Sequence, residues 1–262
     1  MPMNERHTTF PSAPEAFLLA LCLWGIEYLV LGALYDARHW LGIEDGYSLA
    51  TLAVLVANGI LFSALLHWKK LDYRDLFFTS RASAAASTVL LVPTVLLAAP
   101  LLFLLMGSVD ELLQSAFPMS SSTEEQLRAM TAPGLPQLVM ACMLAPVLEE
   151  MLFRGIILRS FLAQYDRWYA IAGSAVVFGF AHGNIYQLVG AIIFGMAAGW
   201  LYERTRSLIP CIALHAAINT GSMLLDADAS PAVADATTWL ACALPALLSG
   251  WLLRRWLAAP AR

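Results

Sequence analysis

Apolar stretches of about 20 residues, the length an α-helix needs to cross a hydrocarbon core, recur along the whole chain. They lie at about 16–35, 47–67, 83–106, 134–164, 168–187, 188–203, 207–225 and 237–257, separated by charges, glycine and proline. Hydrophobic residues make up 60% of the 262 positions and charged residues only 13%, which excludes a water-soluble globule. The expected architecture is all-α: one polytopic membrane domain spanning 1–262, with about eight transmembrane helices. The boundary between the fifth and sixth runs rests only on the polar patch His182-Gly183-Asn184. The segment from Met1 to Ala16 is polar and carries Pro11 and Pro14. The apolar run after it is longer than a signal-peptide core and is read as a retained span.

The charges sort by membrane side. With eight spans, the termini and the loops after spans 2, 4 and 6 share one side. Of the 15 Lys and Arg residues, all but Arg38 and Arg128 fall there or in the half of span 4 nearest that side, from Arg6 through Lys69, Lys70, Arg74 and Arg81 to Arg254, Arg255 and Arg262. This asymmetry predicts cytoplasmic N- and C-termini. Acidic residues gather on the opposite face: Asp36, Glu44 and Asp45 after span 1, and Asp226, Asp228 and Asp235 after span 7. A net charge of −4 leaves no basic footprint for a nucleic-acid partner. In the longer loop after span 3, Ser121 and Ser122 precede Glu124 and Glu125 by three residues, predicting a capped short helix that ends near Pro133-Gly134. Trp68 to Phe78 mixes basic and apolar residues and reads as an interfacial helix. Cys22, Cys142, Cys211 and Cys242 stand singly in apolar stretches and read as small buried hydrophobes.

Ionisable groups inside transmembrane helices cost about 2.5–3.5 kcal/mol each on insertion scales, so a cluster of them marks a candidate site. Span 4 carries Glu149, Glu150 and Arg154 within six residues, just after Pro146, which leaves a backbone carbonyl unpaired and predicts a kink. Glu150 and Arg154, at i and i+4, share a face in the favourable order for an ion pair. Glu149 points about 100° away and lacks a local partner, which suits it to act as a general base. His182 ends the Phe178–His182 stretch, and His215 and Asn219 occupy one face of span 7 at i and i+4. Gly195 and Gly199 form a GxxxG face for close helix packing. Each residue has a plainer reading as well: an intramembrane histidine or asparagine can simply bridge helices. What the plainer readings leave unexplained is the set, one free carboxylate, two histidines and an amide on three helices. Glu149 and Glu150, about 21 Å from the cytoplasmic end of span 4, are at a depth similar to that of His182, whereas His215 lies only about 8 residues into span 7, so a tilt or an earlier helix start is needed to bring it level.

Glu149-Glu150-x-x-x-Arg154, Phe178-x-x-x-His182 and His215-x-x-x-Asn219, in that order on successive spans, resemble the signature of the CPBP intramembrane protease family. That family includes the type II CAAX prenyl endopeptidases and the bacteriocin-processing and abortive-infection proteins. The resemblance covers a core at about 145–220 and implies a glutamate-dependent endopeptidase. By analogy, Glu149 with His182 activates a water, His215 with Asn219 stabilises the oxyanion, and Glu150 with Arg154 supports the site. It implies no cofactor; if a zinc ion were used, Glu149, His182 and His215 would be its ligands. A non-catalytic immunity or regulatory protein on the same scaffold is the alternative. A transporter is less favoured, because no duplicated halves are visible. The expected partners are the lipid bilayer and a peptide or protein substrate with a membrane-proximal or C-terminal tail. The use of Arg over Lys, with abundant Ala, resembles a high-GC bacterial genome, so the expected location is a bacterial inner membrane and prenylated substrates are not expected.

Overall fold

Capping residues set the helix ends at the start of the chain. Ser12 opens α1 (Ala13–Leu41), with its backbone N–H donating to Glu15 at 2.7 Å. The helix closes at Gly42, whose φ of 67° is the left-handed conformation that a residue without a Cβ adopts most readily. Asp45 then caps α2 (Gly46–Lys69) by accepting the Ser48 N–H at 2.8 Å. The interfacial helix expected over 68–78 is divided between the last turn of α2 and a short α3 (Tyr73–Phe77), because Asp72 caps a new start. This computed structural model describes residues 10–78, 87–132, 134–224 and 235–257. The expectations placed on Arg6, Arg81, Pro133, Asp226, Asp228 and Arg262 lie outside the described residues.

The third run folds as a π-helical turn, π1 (Ser87–Leu91), then α4 (Val92–Leu96) and α5 (Ala99–Ala116). The segments Val89–Leu96 and Ala99–Ala116 meet at 40°, with Pro93 and Pro100 close to the break. In the following loop, α6 (Ser121–Thr131) is capped by Ser120, one residue before the expected start, and Glu124 pairs with Arg128 at 2.9 Å.

From 135 to 164 the backbone stays helical while its winding alternates. It passes through α7 (Leu135–Val139), π2 (Met140–Leu144), α8 (Ala145–Glu150), π3 (Met151–Leu158) and α9 (Arg159–Gln164). All eight residues of π3 are buried, which makes this rod the centre of the bundle. α10 (Arg167–Phe180) and α11 (Ile185–Thr205) form a tight hairpin. The fifth run therefore ends at Phe180 rather than near 187, and the sixth begins at Ile185. The physical reason is a turn through Gly183, at φ 71°, and Asn184, whose side chain accepts the Gln187 N–H and starts α11. α12 (Ile209–Leu224) and α13 (Ala236–Leu257) complete the bundle.

The GxxxG face is a packing surface. A Cβ on Gly195 would sit 2.9 Å from the Ala175 Cα of α10, and one on Gly199 would sit 3.1 Å from the Ile171 side chain. The exterior is apolar: Leu18, Leu29, Leu244 and Leu247 on α1 and α13 are all more than half exposed, as suits contact with lipid tails. The protein is thus an all-α polytopic membrane protein with no strand among the described residues. Every predicted run is helical over most of its described length. Four helices, α1, α2, α11 and α13, are long and apolar enough to cross a membrane individually, and the bent π1–α4–α5 unit adds a fifth. α10 and α12, at 14 and 16 residues, are shorter than a simple span. Cys22 is exposed, contrary to the expectation of burial, because it lies on the outer face of α1; Cys211 is buried as expected.

Candidate active site

The carboxylates are placed by the irregular winding of the central helix. In π2 the backbone hydrogen bonds reach back five residues, as from the Ala145 N–H to the Met140 carbonyl. Pro146 has no N–H to continue that series, so the carbonyl one position on, that of Ala141, loses its partner. Asn219 of α12 supplies the missing donor, with its Nδ2 2.8 Å from the Ala141 oxygen. The expected kink at Pro146 is therefore a change of helical pitch, held by a side chain from another helix. Asn219 has a structural duty that its spacing from His215 did not reveal.

One turn later, Arg154 Nη1 lies 3.0 Å from Glu150 Oε1, with both side chains almost wholly removed from solvent. The pair is joined by one hydrogen bond, and the flat guanidinium is flanked by aromatic rings, 4.5 Å from the Phe178 centroid and 5.3 Å from that of Phe194. The same Glu150 oxygen also receives His215 Nδ1 at 2.9 Å. Glu150 therefore does more than pair with Arg154, because it binds a predicted catalytic side chain across 65 residues of sequence. Since the carboxylate accepts, the Nδ1 proton is on His215, and its Nε2 is turned to Glu149 Oε2 at 3.8 Å. Phe194 packs against the imidazole at a centroid distance of 4.6 Å and helps to fix the ring.

His182 lies on the turn after α10 rather than within a helix. Its Nδ1 is 3.0 Å from the Phe178 carbonyl, which can only accept, so the proton sits on Nδ1 and Nε2 carries the lone pair in the neutral ring. Both histidines thus turn Nε2 away from their anchors. His182 lines two cavities. One, of about 190 Å³, has Glu149 in its wall together with Leu148, Leu152 and Phe153. The other, of about 150 Å³, is lined by His215, Asn219, Phe178 and Phe194. The structure therefore gathers Glu149, Glu150, Arg154, His182, His215 and Asn219 into one region, with Glu149 and His215 on different cavities that meet at His182.

Three further polar groups escaped the sequence reading. Glu27 of α1 and Asn58 of α2 line the larger cavity, and Asp110 of α5 lines the smaller one. Asp110 Oδ1 is buried without a hydrogen-bond partner, close to the space left by Gly190. Glu27 and Asn58 were detectable as lone polar residues inside apolar runs, whereas Asp110 falls just beyond the third run. None has a recognisable spacing to the other site residues. Among the described residues, no three His, Cys, Asp or Glu side chains are grouped so as to hold a metal ion, and this includes Glu149, His182 and His215.

Residues 131–221, about a third of the chain, match the family model of type II CAAX prenyl endopeptidase Rce1-like proteins. The matched stretch contains every motif residue from Glu149 to Asn219 and agrees with the resemblance to the CPBP protease family. No curated protein and no solved structure matches the chain.

Proposed function

We propose that this protein is a glutamate-dependent intramembrane endopeptidase that hydrolyses a peptide bond near the end of a membrane-associated or exported substrate. The observation that carries this reading is the array Arg154–Glu150–His215, which turns His215 Nε2 towards Glu149 beside a cavity large enough for water. Glu149 is the base: it takes one proton from a water in the larger cavity while the neutral His182 Nε2 accepts that water's other hydrogen bond. The water oxygen bonds to the scissile carbonyl carbon and forms a tetrahedral oxyanion. When His215 is protonated, Glu150 stabilises the imidazolium through Nδ1, and Nε2–H faces the developing charge. The intermediate collapses as the C–N bond breaks, and Glu149 returns its proton to the leaving nitrogen. Asn219 holds the pitch change at Ala141 with one amide hydrogen, and its other hydrogen serves as a second oxyanion donor. No step calls for a cofactor.

The enzyme belongs, in this reading, in a bacterial inner membrane with about eight crossings and both termini in the cytoplasm. Its partners are the lipid bilayer and a substrate with a membrane-proximal or C-terminal tail. The test compares the N- and C-termini of membrane and exported proteins in cells carrying the wild type or Glu149→Gln at equal abundance. New termini found only with the wild type are expected, and they also identify the substrate. Identical termini in the two strains would refute the protease reading and favour a non-catalytic scaffold.

A further inference from the structure

Outside the matched stretch 131–221, two polar side chains enter the wall of the same cavity as Glu149. Glu27 lies in the middle of the apolar helix α1, and Asn58 on α2 is only 3% exposed. Asn58 Nδ2 donates one hydrogen to the Val54 carbonyl of its own helix at 2.9 Å and directs the other to Glu27 Oε1 at 3.4 Å. Both amide hydrogens are thereby used, and the Glu27 carboxylate is oriented by a side chain from the neighbouring helix. A carboxylate in the middle of an apolar helix is unfavourable, and for that reason marks a candidate functional group.

The cavity indicates that use. Its volume of about 190 Å³ has room for several waters, but an ordered water needs two to four polar partners. Apart from aromatic Trp24, the polar side chains of its wall are Glu27, Asn58, Glu149 and His182, and the rest of the wall is apolar. Glu149 and His182 come from the α8 and α10 side, and Glu27 and Asn58 come from α1 and α2. We infer that Glu27, oriented by Asn58, is a positioning residue of the site: it holds water in the cavity opposite Glu149 and His182, so that α1 and α2 form the second wall of the nucleophile's chamber. This builds on the protease reading for its chemistry, while the water site itself can be measured without any cleavage.

The test uses the full chain in lipid nanodiscs. Radiolytic hydroxyl labelling read by mass spectrometry reports water beside Met140, which lines the cavity, with exposed Met130, on α6 outside the spans, as the reference. Glu27→Leu is expected to lower Met140 labelling several-fold, to leave Met130 unchanged and to keep or raise thermal stability, since a carboxylate leaves an apolar helix. Asn58→Leu is expected to produce the same change in labelling, and it stands in if Glu27→Leu is poorly folded. Glu27→Gln, which still hydrogen-bonds water, is expected to keep most of the labelling. With the substrate in hand, Glu27→Leu should lower kcat at least tenfold with KM unchanged, and Glu27→Gln should restore most of it. Unchanged Met140 labelling in both leucine variants, or an unchanged kcat in Glu27→Leu, overturns the inference. Lowered labelling in a protein that cleaves nothing would uphold the water site and refute the protease reading instead.

Discussion

The double duty of Glu150 can be separated by substitution. Glu150→Leu removes the counter-charge of Arg154, whose side chain is 1% exposed, and leaves a guanidinium buried without a partner. Breaking such a pair from one side costs about 3–5 kcal/mol. The Phe178 and Phe194 rings beside the guanidinium do not offset this loss, because they contact it equally before and after the change. For a chain of this size the melting temperature should fall by roughly 10 °C. Glu150→Leu combined with Arg154→Met removes both charges at similar volume. Replacing a buried pair with apolar groups is neutral or stabilising by about 1–4 kcal/mol, while the lost cation–π contacts cost about 0.5–2 kcal/mol and the His215 Nδ1–H left without its acceptor costs about 1–3 kcal/mol, so most of the stability lost in the single variant should return. Activity should not return with it. His215 Nδ1 has then lost its 2.9 Å acceptor, and losing the carboxylate that orients a catalytic histidine lowers the rate by up to about 10⁴-fold in a Ser-His-Asp triad, so activity should stay far below the wild-type rate. The assay pairs thermal unfolding followed by tryptophan fluorescence with the cleavage rate of the substrate found by terminal mapping. A double variant that is both stable and fully active would refute the orienting role of Glu150. A single variant as stable as the wild type would refute the buried-pair argument.

Asn219→Ala should destabilise the protein by about 1–3 kcal/mol by leaving the Ala141 carbonyl unpaired, and adding Pro146→Ala should restore stability by returning an N–H to that turn. If cleavage stays low in the restored double variant, Asn219 also acts on the reacting carbonyl; full recovery would limit it to helix support. Gly195→Ala forces a methyl group against the Ala175 backbone and should cost about 1–3 kcal/mol in thermal unfolding, whereas Gly25→Ala, with nothing within 4 Å, should be neutral or stabilising. Asp235 caps α13 from outside the helix, and hydrogen bonds from Thr237 and Thr238 draw its carboxyl down to about 2. Its support of the α13 start is therefore complete above about pH 4 and is lost as the pH falls through about 2. Hydrogen exchange at the first turn, corrected for intrinsic rate, should show this fraying, and Asp235→Ala should show it at neutral pH.

Local chemistry was legible in the chain, and arrangements in space were not. Apolar run length marked the helices, because a segment in hydrocarbon must satisfy its own backbone. The i, i+4 spacing was enough to pair Glu150 with Arg154, since neighbours on one helix face meet whatever surrounds them. The ordered motif pointed to Glu149, His182, His215 and Asn219, and Pro146 marked a break in hydrogen bonding. Sequence could not specify who repairs that break or what His215 touches. The Asn219–Ala141 and His215–Glu150 contacts span 78 and 65 residues and depend on how α12 is rotated against the central helix. The ends of α10 and α11 shifted for a related reason: a polar turn through Gly183 and Asn184 ended a helix that hydropathy alone would have continued. Glu27 and Asn58 were overlooked because an isolated polar residue in an apolar run acquires meaning only from the wall it faces. That facing follows from packing between α1, α2 and the central helix, where each side chain's direction depends on contacts made by all the others.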